Sequence, residues 1–300
     1  MVLGDCEALR QALRDCRLVL LTATEGEAAP LFGALKAPQP LLVATKKLVV
    51  GLLEAGHSAA AGSPGTRFVS TTLAISGCDK ANAAHVLTCI LQVSKPTLVL
   101  QVGVAGAFPR GEDGASARVG DIVVATQEIY SDTGSSSPQG WLSAAELGLP
   151  VARVDGLELG GCFLLDAGLV QGAIAAIERE AWPEPRPRVV SGPCVTSSRV
   201  TGLLAEGEEM VRRWGAVAES MEGAAAAHVC ALYEVPFLEV RGISNMVVDR
   251  DRDSWQVDRA VAVAARAALA VAAALDGLSI SAPGARSESR GSSPPVGGAA

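Results

Sequence analysis

Short apolar runs alternate along this chain with segments of helical period. Arg17–Thr24 (R-L-V-L-L-T-A-T) is an unbroken apolar run and predicts a buried strand, with a turn and a helix from about Glu25. Leu41–Glu54 alternates and predicts a hairpin. Ala55–Thr66, rich in Gly, Ala and Ser, reads as a loop. Phe68–Ser76 predicts a strand and Lys80–Val93 a helix, which Pro96 separates from a buried strand over Thr97–Val102. Asp121–Tyr130 follows as a strand. Ser131–Pro150, rich in Ser, Gly and Pro, reads as a surface connection or a lid. Asp166–Ala181 predicts a helix and Arg188–Gly192 a strand. Thr196, Ser197 and Ser198 are placed to cap a helix running towards Trp214. Ala216–Glu219 is a short strand, Gly223–Tyr233 a helix and Pro236–Ile243 a strand. Asp253 or Ser254 caps a last helix that ends near Gly277. The tail over 279–300 is rich in Ser, Gly and Pro and is expected to be disordered.

Strands alternating with helices predict an α/β fold. The expected form is a single-domain three-layer sandwich over residues 1–278, with a largely parallel central mixed sheet. Composition supports a well-filled core: 49% of the 300 residues are apolar and 19% charged. The net charge of −7 argues against general nucleic-acid binding. The longest apolar run, Ala260–Leu275, contains Arg266 and falls short of the roughly 20 residues a membrane span needs. The first ten residues lack a secretory core. A cytoplasmic protein with no membrane partner is expected. Seven cysteines with no C-x-x-C pair read as free thiols in a reducing compartment, Cys89 and Cys230 among them buried. His57, His85 and His228 are too scattered for a metal site or a histidine-based triad.

Four predicted strand ends carry groups able to do chemistry, and strand ends are where α/β sheets place ligands. They are Thr22–Glu27, Gly103–Ala107, Ser220–Gly223 and Gly242–Asn245. Gly103 and Gly106 are not spaced as G-x-G-x-x-G, and a tight turn explains them as well as a ligand does. Glu27 and Glu222 each have a plain structural reading, as first-turn acids favoured by a helix dipole. Their combination with Asn245 says more. Glu222 can hold hydroxyls and Asn245 a heterocycle, and a nucleoside offers both. With no histidine well placed, acid–base work falls to carboxylates. Two carboxylates and an amide suit cleavage of a glycosidic bond through an oxocarbenium-like transition state.

The run M-E-G-A-A-A-A-H-V-C followed by V-P-F-L-E-V-R-G-I-S-N resembles the nucleoside phosphorylase/hydrolase superfamily. So do Ser76–Ala84 (S-G-C-D-K-A-N-A-A), Gln101–Ala107 (Q-V-G-V-A-G-A) and Gly120–Ala125 (G-D-I-V-V-A), in the family's order. The resemblance implies a water-activating role for Glu27 and ribose binding by Met221 and Glu222. It places Ser244 and Asn245 near the purine, and Val195 and Thr196 along the base. Val104, in its strand-end block, joins the substrate-binding residues. Val195 stands where adenine-cleaving members commonly have an aromatic residue.

Two departures from the family pattern narrow the chemistry. Adenine-cleaving members carry an aspartate where this chain has Asn245. An amide can donate to N7 or O6 of a 6-oxopurine at no charge cost, and it can also pair with adenine. Phosphorylases of the family carry an arginine at the position of Gln101 and G-D-P-x-R after the first strand. Here Gln101 and Thr24–Glu27 stand instead, which leaves a phosphate dianion without cations and favours water as the nucleophile. Arg250 and Arg252 could meet an anionic 5′ substituent, or form a solvated charge run before a helix. The expected activity is hydrolysis of a purine nucleoside, a small-molecule substrate, without metal or organic cofactor. The resemblance implies a homo-oligomer, a dimer being the simplest.

Overall fold

Helix α1 (Cys6–Leu13) leads into β1 (Leu18–Thr22), whose five residues are all buried, and then α2 (Glu25–Ala34). The chain continues through β2 (Lys36–Val43), β3 (Lys46–His57), β4 (Thr66–Ile75), α3 (Lys80–Leu91) and β5 (Leu98–Ala107). After β6 (Ile122–Tyr130) come five short strands: β7 (Gly134–Ser137), β8 (Gly140–Ser143), β9 (Ala152–Val154), β10 (Leu157–Leu159) and β11 (Cys162–Leu164). The last part holds α4 (Ala167–Arg179), β12 (Val189–Thr196), α5 (Leu204–Trp214), β13 (Ala218–Ser220), α6 (Gly223–Leu232), β14 (Phe237–Met246) and α7 (Val257–Ala273). The computed structural model describes residues 6–57, 66–109, 116–138, 140–154 and 156–280.

Ten strands share one mixed sheet in the order β11-β6-β12-β13-β5-β1-β4-β3-β2, and β14 pairs with both β5 and β6. The neighbours β4, β1, β5 and β14 run parallel, while β2, β3 and β4 form an antiparallel meander. The strands β5, β14, β6, β12 and β13 pair in a cycle and close on themselves. Helices cover both faces. Leu20, Leu100, Val124 and Val240 pack with Leu31 of α2, Val170 of α4 and Ala264 and Val271 of α7. From the other face, Val19, Leu21, Val99 and Phe237 pack with Leu13 of α1, Ile90 of α3 and Ala227 of α6. The result is the three-layer α/β sandwich that the sequence predicts.

The strand end expected at Gly103–Ala107 is instead the second half of β5, held by β13 on one side and β14 on the other. Ladder pairing overrides the turn propensity of its glycines. Thr196 does not cap α5; its Oγ1 accepts the Ala224 amide at 2.8 Å and serves α6. The first turn of α5 is met from outside, by Asp249 Oδ1 accepting from Leu204 N at 3.0 Å. Asp253 and Ser254 lie in a 3₁₀ turn ahead of α7, whose N-cap is Gln256 with no side-chain cap bond. The segment after Ser131 contains a small antiparallel hairpin, β7–β8. Of the predicted loop Ala55–Thr66, both ends continue strands, and residues 58–65 lie outside the described residues. Of the predicted tail, residues 281–300 also lie outside them. Cys16, Cys194 and Cys230 are buried free thiols, whereas Cys89 is only partly buried.

Alanines give α7 a flat face that lies close on the sheet. At Gly242 of β14 a methyl group would overlap the carbonyl of Ala260. The obstacle is helix backbone, which cannot swing aside. Gly242→Ala should therefore lower stability by roughly 1–3 kcal/mol or more, read as a lower urea midpoint at unchanged slope. An unchanged midpoint would contradict this packing.

Candidate active site

Thr24-Glu25-Gly26-Glu27 forms a capping box on α2. Thr24 Oγ1 accepts from Glu27 N at 3.2 Å, and Glu27 Oε2 accepts from Thr24 N at 2.9 Å and Ala23 N at 3.1 Å. The structural reading of Glu27 as a first-turn acid is thus realised. Its other oxygen does something a cap does not require. Oε1 turns to β5 and accepts from Val104 N at 2.9 Å. Glu27 is buried, and Oε1 keeps a lone pair for a further donor.

Arg241 comes towards this oxygen from the neighbouring strand without pairing with it. A methyl group built on Gly103 would overlap both Glu27 Oε1 and Arg241 Nη1, so the two groups converge there. Arg241 Nη1 donates to Val104 O at 3.3 Å. Its Nη2 donates to Glu239 at 2.9 Å and to Glu222 Oε2 at 3.4 Å. Burial works against the guanidinium's charge, but Glu239 and Glu222 outweigh it and hold the arginine's pKa above its ordinary value. Glu222 is the N-cap of α6, and its Oε1 accepts from Asp79 N at 3.0 Å. Asp79 adopts φ 83° to aim that amide, a strained backbone for a residue with a side chain. Burial raises the Glu222 carboxyl, with Arg241 the main opposing influence.

The predicted residues divide into two groups. Glu27 bonds the amide of Val104, whose carbonyl bonds Arg241, and Arg241 in turn bonds Glu222. Ser244 and Asn245 lie further along β14, where Asn245 pairs with Gly106 of β5. Three residues separate Gly106 from Gly103, roughly 10 Å along the strand. Ser244 Oγ is 2.7 Å from Asn245 Oδ1 and 3.2 Å from Ala105 O, and Asn245 Nδ2 donates to Met246 O at 3.3 Å. Met221, Val104 and Asn245 are partly exposed. Val195 and Thr196 are fully covered. Val195 packs against Phe108, Ile129 and Val247, and Thr196 is held by α6, so neither presents a surface to a base in this structure. β12, paired with β6 and β13, carries both residues into the closed part of the sheet. Gln101 is also fully buried, with both amide atoms unpartnered among the described residues. Arg250 and Arg252 are exposed and stack on the ring of Trp255, at 4.8 Å and 5.9 Å from its centroid. A separate apolar cavity of about 540 Å³ lies between α2 and the β2–β3 hairpin, lined by Phe32, Leu42, Val49 and Ile75 among others. None of the predicted site residues lines it.

The most deeply buried charged residues, Arg241, Glu239 and Glu128, are not among the residues singled out from the sequence. A signal for two of them was present. In P-F-L-E-V-R-G-I, Glu239 and Arg241 sit two apart in an otherwise apolar strand and so share one face. Charges in such a strand are paired or functional. Glu128, Cys194 and Glu239 bring potential metal-ligand atoms within 4.8 Å of one another. Arg241 already supplies the cation that Glu239 requires.

A sequence-family model for the phosphorylase superfamily matches residues 17–279. The chain belongs to that superfamily. Among relatives within this superfamily, a futalosine hydrolase of Streptomyces coelicolor is 34% identical over 166 residues, covering 55% of this chain and 60% of the relative. A futalosine hydrolase of Thermus thermophilus is 30% identical over 206 residues, 69% of this chain and 81% of the relative. A solved 5′-methylthioadenosine/S-adenosylhomocysteine nucleosidase from Neisseria meningitidis shares the phosphorylase-superfamily fold. Its TM-score is 0.69 at 22% identity, over 86% of this chain and 99% of that one. No described helix is long and apolar enough to cross a membrane.

Glu219 borders the same strand ends and gives a pH test of the site's burial. It accepts from Thr201 N at 3.0 and 3.2 Å, and burial pushes its carboxyl up to about 7 against that bonding. A folded-state value above the ordinary one means that its stabilisation is complete at low pH and is lost as pH rises through about 7. Wild type should lose roughly 1–3 kcal/mol more than Glu219→Gln across that window, measured by urea unfolding. Parallel curves for the two proteins would show that Glu219 does not titrate there.

Proposed function

We propose that this chain hydrolyses the N-glycosidic bond of futalosine, releasing hypoxanthine and dehypoxanthine futalosine in menaquinone biosynthesis. Glu27 orients and deprotonates the attacking water on the face opposite the base. Glu222 and Met221 hold the ribose. Asn245, with Ser244 beside it, supports the charge growing on the leaving base. Asn245 is an amide and stabilises the base without giving up a proton. Residues 1–278 act as one domain, in the cytoplasm, as a homodimer and without metal or organic cofactor.

One observation carries the choice of water over phosphate. The amides of Ala23 and Thr24, just ahead of α2, are already occupied by the Glu27 carboxylate, which sets a negative charge at the head of that helix. A phosphate dianion would meet filled donors and a like charge. Gln101, buried and neutral, offers no cation in compensation. The choice of a 6-oxopurine is supported by the amide at Asn245 and by the two futalosine hydrolase relatives.

Incubation of the purified protein with futalosine, aminodeoxyfutalosine and methylthioadenosine, each with and without phosphate, tests this reading. The expected result is hypoxanthine from futalosine at a rate indifferent to phosphate. Adenine release alone, or strict dependence on phosphate, would overturn it. Glu27→Gln keeps the cap geometry yet removes the base, and should slow turnover by a factor on the order of 10²–10⁴. Near-normal turnover in that variant would remove Glu27 from the chemistry.

A further inference from the structure

Two carboxylates meet beneath the first turn of α6. A side chain at position 223 would overlap Glu128 Oε2 and Glu239 Oε2 alike, so glycine there lets the helix rest directly on the pair. Both acids are fully buried. Glu239 has the guanidinium of Arg241 at 2.9 Å. Among the described residues Glu128 has only a hydroxyl, Thr196 Oγ1, at 3.4 Å, and that hydroxyl is anchored by the Ala224 amide.

The charges around this pair do not balance if every acid is ionised. On β14 stand Glu239 and Arg241, and at the heads of α2 and α6 stand Glu27 and Glu222. Asp79 at the head of α3 gives its amide to Glu222. On β12 is Cys194, whose thiol burial pushes well up and keeps neutral. Tyr130, further along β6, bonds to His228 of α6, whose pKa burial lowers. One guanidinium thus faces four carboxylates: Glu27, Glu222, Glu239 and Glu128. Two acids whose oxygens lie within 4.8 Å of each other away from water do not both ionise. Glu239 has the cation, so the proton resides on Glu128. Burial first, and then Glu239, push the Glu128 carboxyl well above the usual range, with Arg241 acting the other way.

We propose that Glu128 is a positioning residue: a neutral carboxylic acid that donates to Glu239 and, through Glu239 and Arg241, holds Glu222 in place for a ribose hydroxyl. The last step rests on the nucleoside reading above; the acid pair does not. When Glu128 loses its proton, a second anion competes for Arg241. The guanidinium then shifts away from Glu222, already its more distant partner at 3.4 Å. The grip on the ribose loosens, and KM rises more than kcat falls.

The test compares full-length wild type, Glu128→Gln and Glu128→Ala, with futalosine, from neutral to alkaline pH. Glutamine keeps a donor to Glu239 that cannot ionise under these conditions. Its KM should stay near the wild-type value at neutral pH, and the alkaline rise in KM should vanish. Alanine should raise KM about tenfold, the scale of one lost buried partner, with a smaller change in kcat. Equal behaviour of the two variants, or an alkaline rise that persists in Glu128→Gln, would overturn the proposal. Infrared spectroscopy supplies a readout independent of turnover. Wild type at neutral pH should show a buried carboxylic-acid C=O band that Glu128→Gln lacks. If futalosine is cleaved but no such band is lost, the proposal fails alone. If the band is lost but futalosine is not cleaved, the substrate reading fails and the acid pair stands. The KM profile is then taken on the nucleoside that is cleaved. Should Glu128→Ala not fold, the pH profile and the infrared band of Glu128→Gln decide.

Discussion

Arg241 is a single guanidinium buried among acids, and the arrangement around it follows from the need to keep that charge and theirs in balance away from water. A buried ion survives only when its partners are close and well aligned. The strands β5 and β14 bring Val104 and Glu239 to Arg241. The head of α6 brings Glu222, and the head of α2 brings Glu27 into the same space above Gly103. Removing the arginine would strand several carboxylates at once. Removing one carboxylate would leave the arginine with the rest.

Helix heads suit this task for a reason independent of any ligand. Unpaired amides and the aligned peptide dipoles make the start of a helix a favourable place for negative charge. Glu27 uses three donors near the start of α2, and Glu222 uses the strained Asp79 amide at the start of α3. Each carboxylate is therefore held in part by backbone, which does not rotate away as side chains do. A reacting centre gains pre-organisation from such holding.

The layers were legible in the sequence because buried strands and amphipathic helices leave periodic traces. The run Leu18–Thr22 and the period of Lys80–Leu91 are examples. Glu27 and Glu222 were legible because both sit at predicted strand-to-helix junctions. Arg241 was visible as a letter, yet its role was not, since a sequence does not say which face of β14 turns to α6. The depth of Val195 and Thr196 was hidden for a related reason. Their burial depends on β12 lying between β6 and β13, a pairing between segments far apart in the chain. The caps at Asp249 and Thr196 are likewise long-range, whereas local capping patterns look only a few residues away.

The closed cycle of β5, β14, β6, β12 and β13 bears on how the molecule comes apart. Glu128, Thr196, Glu239, Arg241 and Asn245 all stand on its strands. A strand inside a closed cycle has no free edge from which to peel, so opening one ladder strains its neighbours. The floor of the site therefore belongs to the most slowly exchanging part of the protein, while the outlying β7–β8 hairpin can open by itself without disturbing it.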